Sequence, residues 1–193
     1  MHFEPLPSTA AWQHQVARKG FEVSYFRPLA DGWHLEGYTS ALEEGQTWAV
    51  SYVLTVDTAW RTRRAQVTSV SAAGRRETVL EGDGKGGWRV DGKAAPHLDG
   101  CLDVDLEASA MTNALPIHRL ALAVGARAEA PAAYVRAVEV SVERLEQQYA
   151  RVADADGQSR FDYVSPAFNF ACRLTYDASG LVVDYPGIAV RAG

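Results

Sequence analysis

The chain has 193 residues, a formal net charge of −5, 47% hydrophobic residues and 22% charged residues. That length and balance fit a folded chain with its own core and exclude an intrinsically disordered one. A net negative chain exerts no long-range pull on phosphate backbones, so no nucleic-acid partner is expected.

In chain order, Thr9-Ala10-Ala11-Trp12 leaves helix and strand open. Phe21–Phe26 reads as a strand, Asp31-Gly32 as a turn, and Trp33–Ala41 as the next strand. The clearest alternation runs from Thr47 to Asp57. Trp48, Val50, Tyr52, Leu54 and Val56 point one way. Thr47, Ala49, Ser51, Thr55 and Asp57 point the other, with Val53 the one large apolar residue among them. At about 3.4 Å per residue this strand spans roughly 35 Å, which predicts a curved sheet.

Gln66–Ala72 and Arg75–Glu81 flank Ala73-Gly74 as a hairpin. Glu81–Gly87 is a loop, Trp88-Arg89-Val90 a short strand, and Asp91-Gly92 a turn. Tyr134–Val142 reads as a strand. Val142–Val152 suits a helix by its Glu143, Glu146, Gln147 and Arg151, and a strand by its Leu145, Gln147 and Tyr149; a continued strand is taken. Phe168, Phe170, Cys172, Leu174 and Tyr176 share a strand face, Asp177–Gly180 turns the chain, and Leu181-Val182-Val183 returns it. Turn signals every ten residues or so, with no repeat or linker, predict a single all-β domain over residues 1–193 with little helix.

Few motifs carry chemistry. Lys85 within the Gly82–Gly87 run is followed by glycines and a tryptophan strand, not by Ser/Thr and a helix, so it is a hairpin loop and no phosphate-binding loop. Asp103 and Asp105 lie on one strand face about 7 Å apart, a spacing that would serve acid–base work or pair with arginines. The five histidines, His2, His14, His34, His97 and His118, share no metal-ligand spacing, and no Gly-x-Ser-x-Gly elbow occurs. No cofactor, metal or catalytic residue is assigned. Arg61, Arg63 and Arg64, with Arg75 and Arg76, read as a wet strand face or as an anion contact. Trp60 beside them is the tryptophan expected at the surface.

Cys101 and Cys172 are too few for a disulfide-built secreted domain. The start, Met1-His2-Phe3-Glu4-Pro5, lacks a basic-then-apolar leader, and no apolar run approaches about 20 residues. A cytoplasmic location with reduced thiols is the expectation.

The most distinctive stretch is Leu102–Leu120. Thr112-Asn113 before Leu115-Pro116 predicts an irregular segment held by side chains, since Pro116 removes a donor and biases Leu115 to an extended shape. Such a segment either carries function or plugs one end of the sheet.

Gly100-Cys101-Leu102-Asp103-Val104-Asp105-Leu106 and Thr112-Asn113-Ala114-Leu115-Pro116-Ile117-His118-Arg119-Leu120 resemble the signature of a bacterial family described as putative glycolipid-binding. Trp60-Arg61-Thr62-Arg63, Gly87-Trp88, Gln148-Tyr149 and Gly180–Gly187 continue the likeness in order. The family usually has Thr-Pro-Phe-Thr-Asn where this chain has Ser109-Ala110-Met111-Thr112-Asn113, and two arginines after Pro-Ile, the first of which is His118 here. The resemblance implies a spiral β-roll like that of bacterial lipoprotein and glycolipid carriers.

It also implies non-enzymatic binding of a glycolipid or another amphipathic ligand in a concave cavity. The candidate contacts are Trp60, Arg61, Arg63, Asp103, Asp105, Thr112, Asn113, His118, Arg119, Tyr149 and Tyr185. Two alternatives stand beside it: a homodimer joined through sheet edges, and an enzyme using Asp103, Asp105 or His118. The carrier reading requires a hollow beside Thr112–Arg119.

Overall fold

The computed structural model describes residues 3–193. Met1 and His2, part of the stretch read for a leader, lie outside the described residues. The described chain is mostly strand. In order these are β1 (Thr9–His14), β2 (Lys19–Leu29), β3 (Gly32–Glu43), β4 (Gln46–Asp57), β5 (Thr62–Ser71), β6 (Gly74–Gly82), β7 (Trp88–Val90), β8 (Lys93–Ala94) and β9 (Asp103–Leu106). After the helix α1 (Ala114–Leu120) come β10 (Arg127–Glu129), β11 (Ala132–Val135), β12 (Val142–Leu145), β13 (Gln148–Ala155), β14 (Gln158–Ser165), β15 (Phe170–Tyr176), β16 (Val182–Tyr185) and β17 (Ala189–Arg191).

Fourteen strands form one antiparallel sheet in the order β10-β13-β14-β15-β16-β17-β1-β2-β3-β4-β5-β6-β7-β8. It is not a closed barrel. Tight turns set its register. β3 and β4 pair without a slip from Gly32↔Asp57 to Glu43↔Gln46, and the two turn residues Glu44 and Gly45 take φ of 49° and 80°. Positive φ at both positions is the hairpin geometry that matches strand twist. The alternation expected in β4 is present: Trp48, Val50, Tyr52, Leu54 and Val56 are all buried.

The chain leaves this sheet after β8, touches it again at β10 and rejoins it at β13. In that excursion β9, β11 and β12 make a three-stranded sheet, with β9 and β11 parallel. α1 and the 3-10 turn Met111–Asn113 fill the interior. Met111 and Leu115 join the cluster around Trp12, Leu35, Tyr52, Leu54 and Leu80, and Ile117 joins a second one with Tyr149, Phe161, Leu174 and Tyr176. The plug therefore ties the two halves of the large sheet together.

Several expectations change. The Thr112–Leu120 segment is helical, not irregular. Pro116 is its third residue, where a missing N–H costs no hydrogen bond, and complete burial of Leu115 and Ile117 outweighs the bias of Leu115 against helix. Tyr134–Val142 is not one strand. Val140 adopts φ 50°, Arg136 N–H bonds to Ser141 O, and the Glu107 carboxylate accepts the Ala137 N–H at 2.8 Å, so the chain turns between β11 and β12. The following strand breaks again at Glu146-Gln147. Phe168 lies in the 3-10 turn Pro166–Phe168 and is 44% exposed, so β15 starts two residues later than the alternation implied. Thr9–Trp12 is strand.

Candidate functional site

Strand β9 brings two carboxylates to the edge of the plug while Val104 and Leu106 enter the core. Asp103, 2% exposed, clamps Arg119 of α1: Arg119 Nε donates to Oδ1 at 2.9 Å and Nη2 to Oδ2 at 2.6 Å. Burial lifts the Asp103 carboxyl above the usual carboxylate range, and Arg119 opposes that lift. Burial also works against the guanidinium, but the bond and charge of Asp103 hold it more firmly protonated than usual. A bidentate contact of this kind favours the ionic form, and it engages both carboxylate oxygens of Asp103 with Nε and Nη2 of Arg119.

Asp105, two residues on, sits half-buried at the floor of a cleft. Gln147 Nε2 donates to its Oδ2 at 2.6 Å. Its Oδ1 lies 3.2 Å from Thr112 Oγ1, which is also 3.1 Å from the Ser109 carbonyl and accepts the Leu106 N–H. A hydroxyl has one proton. Given to Asp105 Oδ1, it supports the carboxylate form, as the Gln147 amide does. Burial first, then the charges of Asp103 and Glu107, push the Asp105 carboxyl up to about 6, against the pull of Gln147 and Thr112.

The cleft encloses about 190 Å³. Leu106, Asp105 and Asn113 form its floor, and Tyr163, Phe170 and Tyr185 its wall. These three rings meet in tilted and edge-to-face pairs at 6.0–6.3 Å between centroids, a preferred aromatic packing. Tyr134 and the exposed Phe168, 5.6 Å apart, make the lip. Arg18 and Glu107 close the side, with Arg18 Nη1 donating to the Glu107 carbonyl at 3.0 Å and the guanidinium 5.2 Å over the Trp48 ring. Tyr149, fully buried, orients the floor: its hydroxyl lies 3.0 Å from both Asn113 Oδ1 and Gln147 Oε1.

One support was invisible in the sequence. Glu22 of β2 is completely buried, and its carboxylate accepts hydrogen bonds from the Tyr52 hydroxyl at 2.7 Å, the Ala110 N–H at 2.8 Å and the Ser109 hydroxyl. Burial raises its pKa, and these donors oppose the rise. Glu22 thus pins the turn that carries Thr112 and Asn113.

Of the eleven residues predicted, Asp105, Asn113 and Tyr185 line the cleft, and Thr112 and Tyr149 support it. Asp103 and Arg119 are the internal clamp. Arg61 stands on the β4–β5 turn, its Nη1 donating to Gly84 O at 3.2 Å, and Arg63, at the start of β5, lies 3.7 Å from Asp57. Trp60 and His118 stack on each other in a separate pocket with Phe3 and Trp33. The trio Asp103, Asp105 and His118 is therefore not assembled as an acid–base site. Sequence reasoning missed Arg18, Glu22, Tyr134, Gln147, Tyr163 and Phe170. Tyr163 and Phe170 had a usable signal in the alternation of β14 and β15. Both thiols are free, and burial pushes Cys101 up to about 11 and Cys172 up to about 12.

The family model described as putative glycolipid-binding matches residues 9–191. The chain belongs to this family. A crystal structure of a DUF1089 family protein from Pseudomonas aeruginosa is similar over 100% of this chain and 97% of that one, at 33% identity and a TM-score of 0.78. A β-barrel-like protein of domain of unknown function DUF1849 from Brucella abortus shares the fold, at 11% identity and a TM-score of 0.54, over 98% and 96% of the two chains. No curated protein matches the chain. Within this family member, the signature residues divide by task. Asp103, Leu115, Ile117 and Arg119 build the plug, whereas Asp105 and Asn113 line the cleft. Ser109, where the family pattern has Thr, serves Glu22. No helix among the described residues is long and apolar enough to cross a membrane.

Proposed function

We propose that the cleft beside β9 receives the polar ring of an amphipathic ligand, the sugar head of a glycolipid, and does no chemistry on it. The observation that carries this reading is the pairing of the Tyr163–Phe170–Tyr185 wall with the Asp105–Asn113 floor. Aromatic faces pack against the C–H face of a sugar ring, while a carboxyl and an amide exchange hydrogen bonds with its hydroxyls. Size limits the claim. Ligand sites usually enclose about 300–1,000 Å³, and a cavity of about 150 Å³ holds one benzene. A cleft of about 190 Å³ takes one ring and no acyl chain.

The interior beside Arg119, where a deep hollow was expected, is occupied by Met111, Leu115 and Ile117. An acyl chain would therefore lie outside, starting at the exposed Phe168 lip. Dimerisation through sheet edges is the weaker reading, because the large sheet ends in β8, two residues long, and β10, three residues long. Edges this short offer few ladder bonds.

Calorimetric titration with octyl glucoside below its micelle threshold, and with octanol, tests the reading. Saturable binding of the glucoside is expected, with octanol and the Tyr185→Ala variant each weaker by roughly tenfold, the order of one lost aromatic or polar contact. Equal binding of octanol, or no effect of Tyr185→Ala, would overturn it.

A further inference from the structure

A second pocket lies on another side of the plug and owes nothing to the cleft. Its wall is a pile of four rings drawn from four separate segments. Trp60 stacks on His118 at 3.8 Å between centroids and 14° between planes. Phe3 meets His118 at 4.3 Å with the planes tilted by 49°, and Trp33 flanks Trp60 at 6.1 Å and 28°.

The backbone is shaped to hold this pile. Trp60 sits at φ 62°, a left-handed conformation that disfavours residues other than glycine. The Asp57 carboxylate maintains it by accepting the Ala59 and Arg61 N–H groups at 2.9 and 3.0 Å. Gly180 backs the pile: a Cβ there would stand 2.6 Å from His118 Nε2 and 2.9 Å from Phe3 Cδ1. The N-terminal segment is fastened across it by the Glu4 N–H, which donates to Ala178 O at 2.9 Å.

In front of the rings is an open space of about 420 Å³, which Leu6 and Pro5 complete with apolar walls. Its charge is one-sided. Among its described lining residues Glu4 alone carries a full charge at neutral pH, and no lysine or arginine is present. Burial lowers the His118 pKa to about 4, so the imidazole adds no positive charge. Aromatic walls, one carboxylate and no competing cation suit an organic cation with an apolar skin. A primary ammonium would lose more hydration on entering, and a sugar would find one carboxylate and two indole N–H groups for its many hydroxyls.

We propose that the Phe3–Trp33–Trp60–His118 pocket binds a quaternary ammonium group, free or on a phosphocholine lipid. Trp12, Trp48 and Trp88 are buried in the core, so quenching of the partly exposed Trp33 and Trp60 reads this pocket.

The test titrates tryptophan emission with choline chloride and with its uncharged isostere 3,3-dimethylbutanol, in the parent and in Glu4→Gln. Choline should quench saturably in the millimolar range, with the isostere and the Glu4→Gln variant each weaker by about tenfold. Glu4 is exposed, so its variant should keep the parent melting temperature. Equal response to the isostere, no saturation by roughly 100 mM choline, or unchanged binding in Glu4→Gln would overturn the proposal. Co-sedimentation with phosphatidylcholine but not phosphatidylglycerol vesicles would assign the group to a lipid. Choline binding without co-sedimentation would assign it to a soluble cation. Because the sugar cleft has no residue in common with this pocket, octyl glucoside binding can fail while choline binding stands.

Discussion

Asp105 carries an acid into a buried place beside other carboxylates, which favours the neutral form over the pull of Gln147 and Thr112. In the unfolded chain an aspartate titrates near 3.9, whereas here it is raised to about 6. Between those values the native state holds more protons than the unfolded one, so this residue makes stability fall as pH rises through the window. Asparagine imitates the protonated acid. Asp105→Asn should match the parent near pH 4 and exceed it at pH 7 by up to ~3 kcal/mol, less whatever the cleft's access to water relieves. Urea midpoints at the two pH values check this, and a pH-independent difference would refute it. From the sequence, the Asp103–Asp105 spacing was legible and their fates were not. Arg119 reaches one, and Gln147 with Thr112 reaches the other, across separations of 16, 42 and 7 residues. Glu22 was likewise hidden, since an acidic residue on a strand normally reads as a wet one.

At the scale of elements, the plug decides what the sheet encloses. Leu115 and Ile117 are fully buried in the two clusters that α1 joins. Leu115→Ala should lower unfolding free energy by about 2–5 kcal/mol, seen as a drop of roughly 5–15 °C in Tm. A change within about 2 °C would mean the helix is not part of the cooperative core. Seven residues complete barely two turns, and a helix buried on every side has no amphipathic period to display. That is why the segment read as irregular. The long meander strands β2–β6 were legible for the opposite reason: one face is core and the other meets water, so period two is written in the side chains. β11 and β12 merged in the reading because the turn between them depends on Glu107, thirty residues away from Ala137.

For the whole molecule, the seam is the pairing of the first and last strands. β1 meets β17 at Trp12↔Arg191, Gln13↔Val190 and His14↔Ala189. Arg191 lies 4.7 Å over the Trp12 ring, and the Trp12 indole N–H donates to Val182 O at 2.8 Å. This junction unites the β1–β8 meander with β13–β17 in one sheet. Removing residues 188–193 should leave β1 as a bare edge and convert a single sharp transition into a broad or two-step one by near-ultraviolet circular dichroism. Retention of the parent's single transition at its parent temperature would show that the seam does not couple the halves.

Alternation and turn residues settled in advance that the chain is a mostly antiparallel β protein, because those signals act between residues two to four apart. The signature at 100–120 placed it in its family for the same local reason. Which carboxylate is clamped, which is left in a cleft, that the interior is plugged, and that Trp60 and Asp105 serve different pockets were decided only on folding. Each depends on partners brought together over long stretches of chain, and burial sets their charge and accessibility after the contacts form.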